Sequence, residues 1–331
     1  MILTLFAAAL ATSHEGSVRL VTDEAESVLR ILALEGKGEA VNVSVWSSLY
    51  ATDGYRRLKQ RELGMKRKFE DDDFRKFVES SDLISRRAIL QKTLDEWIRA
   101  DVRECRRRAL AYLPKGADIE AKVYLLIKPL HNSFVWEVAT DPAIMLYLDP
   151  EESKDGFVGT VAHEMHHIGY GRSCPSPEFA KWLDDKPQTV KAAYEWLGAF
   201  GEGYAVLAAA GGIGKDPQAW PREDVKAAWA NGMARQPDQF KQVEAFFMQV
   251  LKGELNGDKI QDKAMEFYGI VGPWYTVGYT VATTIERVDG RSRLIECYRD
   301  PRLLLPTYNE AARKLGTGLP VWTDEFVAAM K

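Results

Sequence analysis

The segment Thr160-Val161-Ala162-His163-Glu164-Met165-His166-His167-Ile168-Gly169 constrains this chain more than any other. It contains the pattern H-E-x-x-H, with His163 and His167 four residues apart and Glu164 directly after the first histidine. On a helix, residues four apart sit one turn apart on the same face. Two imidazoles so placed can share one tetrahedral zinc ion, at about 2.0–2.1 Å each. Glu164 points round the helix from that pair, where it cannot join them but reaches a water on the metal. That is the position of a metalloprotease general base. The segment is therefore expected to be helical, with one face turned to a cleft.

Its surroundings support that expectation. Ala143-Ile144-Met145-Leu146-Tyr147-Leu148 is an apolar run between Asp141-Pro142 and Asp149-Pro150, and it reads as a buried or edge strand. Ser153 offers an N-terminal cap and Asp155 a first-turn acid. Phe157, Val161, Met165 and Ile168 form one apolar stripe, while Thr160, His163 and His167 form a second, polar one. Gly169 and Gly171 read as the helix stop. The competing readings, surface histidines or satisfied core histidines, leave the separation of the two stripes unexplained.

A catalytic zinc site needs a third protein ligand and leaves the fourth position to water. A metzincin-type extension requires glycine three residues after His167 and histidine or aspartate six after; Tyr170 and Ser173 stand there instead. Glu202 is the stronger candidate. It is a lone carboxylate in the apolar, small-residue stretch Trp196–Leu207, and a buried charge is costly unless paired or on a metal. The alternative for it is a buried glutamate paired with an arginine or a backbone donor. Gly201 and Gly203 flank it and permit close approach of another helix. Glu195, seven positions earlier and so on roughly the same face, is a second candidate ligand or a group orienting one histidine. Lys191, Tyr194 and Trp196 make its setting that of an ordinary helix surface.

An H-E-x-x-H helix followed by a glutamate in an E-G-x-A setting resembles the gluzincin group of zinc peptidases. The combination of His163-Glu164-Met165-His166-His167, Gly201-Glu202-Gly203-Tyr204-Ala205 and Tyr275-Thr276-Val277-Gly278-Tyr279 is similar to a bacterial family described as zinc-dependent peptidases. The resemblance runs from about Val18 to the C-terminus, with the first motif the sharpest. It implies one zinc ion and peptide hydrolysis, and it specifies no substrate. In several gluzincins a tyrosine hydroxyl assists the metal in stabilising the oxyanion. Tyr275 is the first candidate here and Tyr279, one turn on, the second; the alternative is that both are core or rim aromatics.

The rest of the chain limits what surrounds such a site. Its 331 residues suffice for one large domain or two, and 46% hydrophobic with 28% charged residues is an ordinary globular balance. A net charge of −4 supplies no general attraction to nucleic acid or to an anionic membrane. The apolar opening Met1–Ala11, with Ala9-x-Ala11 before a polar turn, resembles a signal peptide that lacks a basic start. Residues 1–17 are read as a leader, which carries His14 with it, and the location as extracytoplasmic (secreted or periplasmic), with cytoplasmic as the alternative. No run reaches the ~20 apolar residues of a membrane span. Cys105, Cys174 and Cys297 are too few and too irregular for a disulfide framework; Cys174 follows the histidine helix and reads as a buried thiol.

Residues 18–115 read as an N-terminal helical part, opened by the strand-like Val18–Val21 and a helix to about Leu34. Residues 116–331 read as the catalytic part, either separate or continuous with the first. Strand character at 122–128, 134–138 and 143–148 predicts a small sheet of about three strands packed on the histidine helix. Strand 143–148 is expected at the cleft rim, where extended substrate would pair with it; His131 and Asn132 read as a solvated loop nearby. Residues 175–187 read as a connection, 188–210 as the Glu202 helix, Gly211–Gly214 as a turn, and Gly272 as the start of a helix to about Val288.

The expectation is a predominantly helical α+β protein with a zincin-like catalytic core. Zinc would be held by His163, His167 and Glu202, with Glu164 as general base acting on a peptide or protein substrate. A zinc-containing binding protein without turnover, or a zinc hydrolase of a non-peptide amide or ester, are the alternatives. Intact Glu164 speaks against the first of these. The oligomeric state is left open.

Overall fold

A computed structural model of the chain describes residues 18–217 and 222–331. The candidate leader, with Ala9, Ala11 and His14, lies outside them. The described residues are mostly helical and include one mixed sheet, which makes the fold α+β. Among them no helix is long and apolar enough to cross a membrane.

The sheet has four strands, β1 (Val18–Val21), β2 (Ala121–Leu126), β3 (Phe134–Trp136) and β4 (Ala143–Tyr147), in the order β1-β2-β4-β3. The first three in that order run parallel, and β3 pairs antiparallel with β4. Val18–Val21 thus adds a fourth strand to the three expected. The strand expected at the rim is an interior one: Ile144 aligns with Val123 on one side and Val135 on the other. An apolar run without alternation marks a strand covered on both faces, and every residue of β4 is buried. Ala143–Met145 are paired on both edges, whereas Leu146 and Tyr147 are paired with β2 alone.

A helix over Asp23–Glu35 connects β1 to the helical N-terminal part. Its first turn is anchored by acids: the Ile127 amide donates to the buried Glu24 carboxyl oxygen at 2.9 Å, and the Asp53 amide donates to Asp23 at 2.7 Å. Six further helices lie between Val43 and Leu110. Their apolar faces, the sheet and the histidine helix together form one buried cluster that includes Val28, Trp97, Leu125, Ile144, Phe157 and Met165. A second cluster, built almost wholly from residues after 173, contains Phe200, Tyr204, Phe247, Trp274 and Trp322.

The histidine helix spans Lys154–Ser173, capped by Ser153, whose hydroxyl accepts from the Gly156 amide at 3.1 Å. Phe157, Val161, Met165 and Ile168 are fully buried against the first cluster, as the apolar stripe predicts. The helix does not stop at Gly169 or Gly171. A β-carbon at Gly169 would lie 2.2 Å from the Leu113 side chain, so this glycine serves close packing and not termination. The connection read after it contains a short helix, Pro177–Asp184, with Ser176 as N-cap and proline in its first turn.

The helix expected over 188–210 is broken into Gln188–Leu197, a tighter turn at Gly198–Phe200, and Gly201–Ala210, which ends on the left-handed Gly211. The third element that matters is Pro273–Asp289. Gly203 lets the Glu202 helix press on it backbone to backbone, because a β-carbon there would lie within 2.6 Å of backbone atoms of Tyr275, Gly278 and Tyr279.

Candidate metal centre

The polar stripe of the histidine helix faces the first turn of the Glu202 helix. His163 Nε2 lies 3.0 Å from His167 Nε2 and 3.1 Å from Glu202 Oε2, and His167 Nε2 lies 3.3 Å from the same oxygen. The two rings stand nearly perpendicular, at 79°, so their nitrogens aim at one point. Three pairs of electron-rich atoms in mutual contact cannot all be satisfied by one shared proton. A central cation satisfies all three. Tetrahedral zinc with bonds of about 2.0–2.1 Å sets its ligands about 3.3 Å apart, so the spacing and the donor set of two imidazoles and one carboxylate fit zinc. Among the described residues, His163, His167 and Glu202 are the group of metal-ligating side chains that converges in this way.

Electrostatics follow from that convergence. Burial opposes a charge on His167, but Glu202 overrides it and pushes the ring up to about 9. Burial alone would raise Glu202, yet the two imidazoles hold it well below the usual carboxylate range. Glu164 is buried, and burial raises it despite both histidines; among the described residues charges act on it but no side-chain hydrogen bond does. A carboxylate in that setting has its proton-accepting capacity unspent.

Glu195 is exposed on the preceding helix and takes no part in the cluster. The Tyr275 ring lies parallel to His163 with centroids 6.4 Å apart, and its hydroxyl is raised by burial and then by Glu202 and Glu164. Tyr279 packs edge-on against Trp229, and the acids that act on it are Asp216 and Glu286. Of the two tyrosines, Tyr275 faces the cluster. His166, inside the motif, is fully buried beside Tyr170 and Tyr298, and burial drives it down to about 3, so it is a neutral packing residue. All three cysteines are free and buried, Cys174 among them. His131 stacks on Tyr147 from an exposed loop.

A model of the family described as "putative zinc dependent peptidase" matches residues 46–317, which include every residue of the cluster together with Glu164 and Tyr275. The chain belongs to that family. Membership carries zinc dependence and peptide hydrolysis as the family's description. No curated protein and no solved structure matches the chain.

Two features of the site escape the sequence reading. Tyr268, seven residues before Tyr275, meets it edge-on and feels the Glu202 charge, but it sits in an aperiodic turn with no signal of its own. A cleft of about 280 Å³ opens beside His163 and Tyr275, with Glu152 and Thr160 in its lining. The available clue was the spacing of Glu152, Gly156 and Thr160, four residues each, at the start of the helix.

Proposed function

We propose that this chain is a zinc metallopeptidase of the gluzincin type, with a zincin-like core, that hydrolyses peptide bonds at one zinc ion. The observation that carries this reading is the convergence of His163 Nε2, His167 Nε2 and Glu202 Oε2 within 3.3 Å of one another, with Glu164 next in sequence to the first ligand. The three side chains hold the metal. When bound there, zinc supplies a Lewis acid for the substrate carbonyl and makes water a stronger acid.

The chain's own groups do the rest. Glu164 takes the proton from the water that attacks the carbonyl carbon, then returns it to the nitrogen as the C–N bond breaks. Its lack of hydrogen bonds suits both steps, because neither protonation state is locked. The Tyr275 hydroxyl donates to the carbonyl oxygen as negative charge builds there, and burial keeps that hydroxyl protonated. A binding protein with the same ligands would have no use for an unpaired carboxylate beside them. That favours turnover.

The test is metal content by mass spectrometry on the purified and reconstituted protein, followed by digestion of a peptide mixture with and without a chelator. Near-stoichiometric zinc and chelator-sensitive cleavage are expected. Absence of zinc after reconstitution, or zinc without cleavage of any peptide, would overturn the proposal.

A further inference from the structure

The stripe that carries the histidines begins one turn earlier with Thr160, and the cleft follows it. Val206, Ala209, Val225, Trp229 and Val271 give the cleft apolar walls, and Glu152 is among the charged residues that line it. Glu152 belongs to the turn before the helix, where a glutamate would ordinarily extend into solvent. Instead it folds back along the helix, and the Thr160 hydroxyl donates to its Oε1 at 2.6 Å. A β-carbon at Gly156 would lie 2.7 Å from the Glu152 Cγ, so glycine in the first turn is what makes room for this path. Arg222 and Asp149 line the same cleft and both act on Glu152, with opposite signs, but Arg222 makes its ion pairs with Asp149 at 3.6 Å and Asp224 at 3.2 Å. Among the described residues the hydrogen-bond partner of the carboxyl is thus a neutral hydroxyl, in surroundings whose burial raises its pKa to about 7.

Among the described residues Glu152 has no ion-pair partner of its own, and holding a carboxylate so in a largely apolar cleft is unfavourable. A cation that arrives with the substrate removes the penalty. Resting on the peptidase reading above, we propose that this cleft is the specificity pocket for a basic side chain, lysine or arginine, whose aliphatic stem lies on the apolar wall and whose charged head binds Glu152. Thr160 and His163 both line the cleft and are three residues apart on the helix, about 4.5 Å of rise, so the four-carbon stem of a lysine has wall to lie on. An α-ammonium group has no such stem and would leave the wall uncovered.

Binding can be read without metal or turnover, by chemical-shift titration with Nα-acetyl-lysine amide, Nα-acetyl-norleucine amide and leucine amide. Failure of this proposal is thereby separate from failure of the zinc reading, which metal content and cleavage decide. The lysine derivative is expected to bind at least about tenfold tighter than the norleucine one. Glu152→Gln should abolish that preference and leave norleucine binding unchanged. Gly156→Ala, which keeps the charge but displaces it, should do the same and covers the case in which Glu152→Gln does not fold. Equal or tighter binding of norleucine, or a preference that survives both variants, overturns the proposal. Tightest binding by leucine amide, lost in Glu152→Gln, would assign the carboxylate to a substrate α-ammonium and overturn the side-chain assignment.

Discussion

A β-carbon on Gly203 would lie 2.0 Å from the backbone nitrogen of Tyr279. The contact is reciprocal one turn away, where a β-carbon on Gly278 would lie 2.6 Å from the carbonyl oxygen of Phe200. Two helices that cross at this separation bring the residue before Gly203, a ligand candidate, beside the turn that carries Tyr275. Backbone atoms cannot move aside as a flexible side chain can. Gly203→Ala should therefore destabilise the fold by at least about 1–3 kcal/mol and weaken zinc binding with it. Thermal denaturation and a chelator competition measure the two effects; an unchanged midpoint with unchanged affinity would contradict the crossing described here.

Removing Glu202 tests the ligand set. Glu202→Ala leaves two imidazoles and should lower zinc affinity by more than the roughly 10–100-fold seen on losing an outer-shell partner. Glu195→Ala, on an exposed surface, should leave it unchanged. Competition with a zinc chromophore distinguishes them, and the opposite ranking would move the third ligand to Glu195.

Glu164→Gln keeps the shape of the side chain and removes its basicity. Zinc content should stay at the wild-type level while kcat falls by about 10²–10⁴. A fully active variant would sink the general-base assignment, whatever its metal content.

Tyr275→Phe should reduce kcat by about 10²-fold with little change in KM, because the hydroxyl is needed only as charge develops. Tyr279→Phe, whose ring packs on Trp229, should leave kcat near wild type. Steady-state kinetics on one cleaved peptide suffices. Equal losses in both variants would show that the aromatic layer is being disturbed and not a catalytic hydroxyl.

Glu24 gives a pH dependence of stability far from the cleft. Burial, reinforced by Asp23 and opposed by the Ile127 amide and Lys128, pushes its carboxyl up to about 8. Between about pH 4.5 and 8 the folded chain keeps a proton that the unfolded chain releases, so this contribution to stability is full below 4.5 and lost as pH rises through 8. Lys128, held down to about 7 by burial, acts with the opposite sign only above that pH. Between pH 5 and 7 the wild type should thus lose stability relative to Glu24→Gln, by an amount on the order of 1–3 kcal/mol. Denaturant midpoints at the two pH values decide it, and parallel curves would contradict a neutral buried carboxyl.

What could be read from the sequence was whatever depends on neighbours within a turn or two. The histidine pair, its cap at Ser153 and its apolar stripe are local. Glu202 stood out by chemistry, as a charge among small apolar residues. The failures depend on contacts between distant segments. Gly169 looks like a stop until Leu113, far back in the chain, is seen packed against it. Strand β4 looks like a rim until β3 is found paired with its first three residues, Ala143–Met145. Glu152 looks like a solvated turn residue, and only its hydrogen bond to Thr160 reveals that it points inward. The Pro177–Asp184 helix, within the stretch that reads as a connection, was legible in its Ser176-Pro177 start, a cap followed by a proline in the first turn.

The histidines ride on the helix that closes the first buried cluster, and Glu202 rides on a helix packed mainly into the second. As the proposed zinc ligands, these three atoms would therefore act as a strain gauge between the two clusters. With zinc held there as proposed, a repacking in either cluster that shifts one helix by a fraction of an ångström would register as a change in metal affinity. Zinc titration of variants remote from the cleft would, for this protein, map how rigidly one half is held against the other.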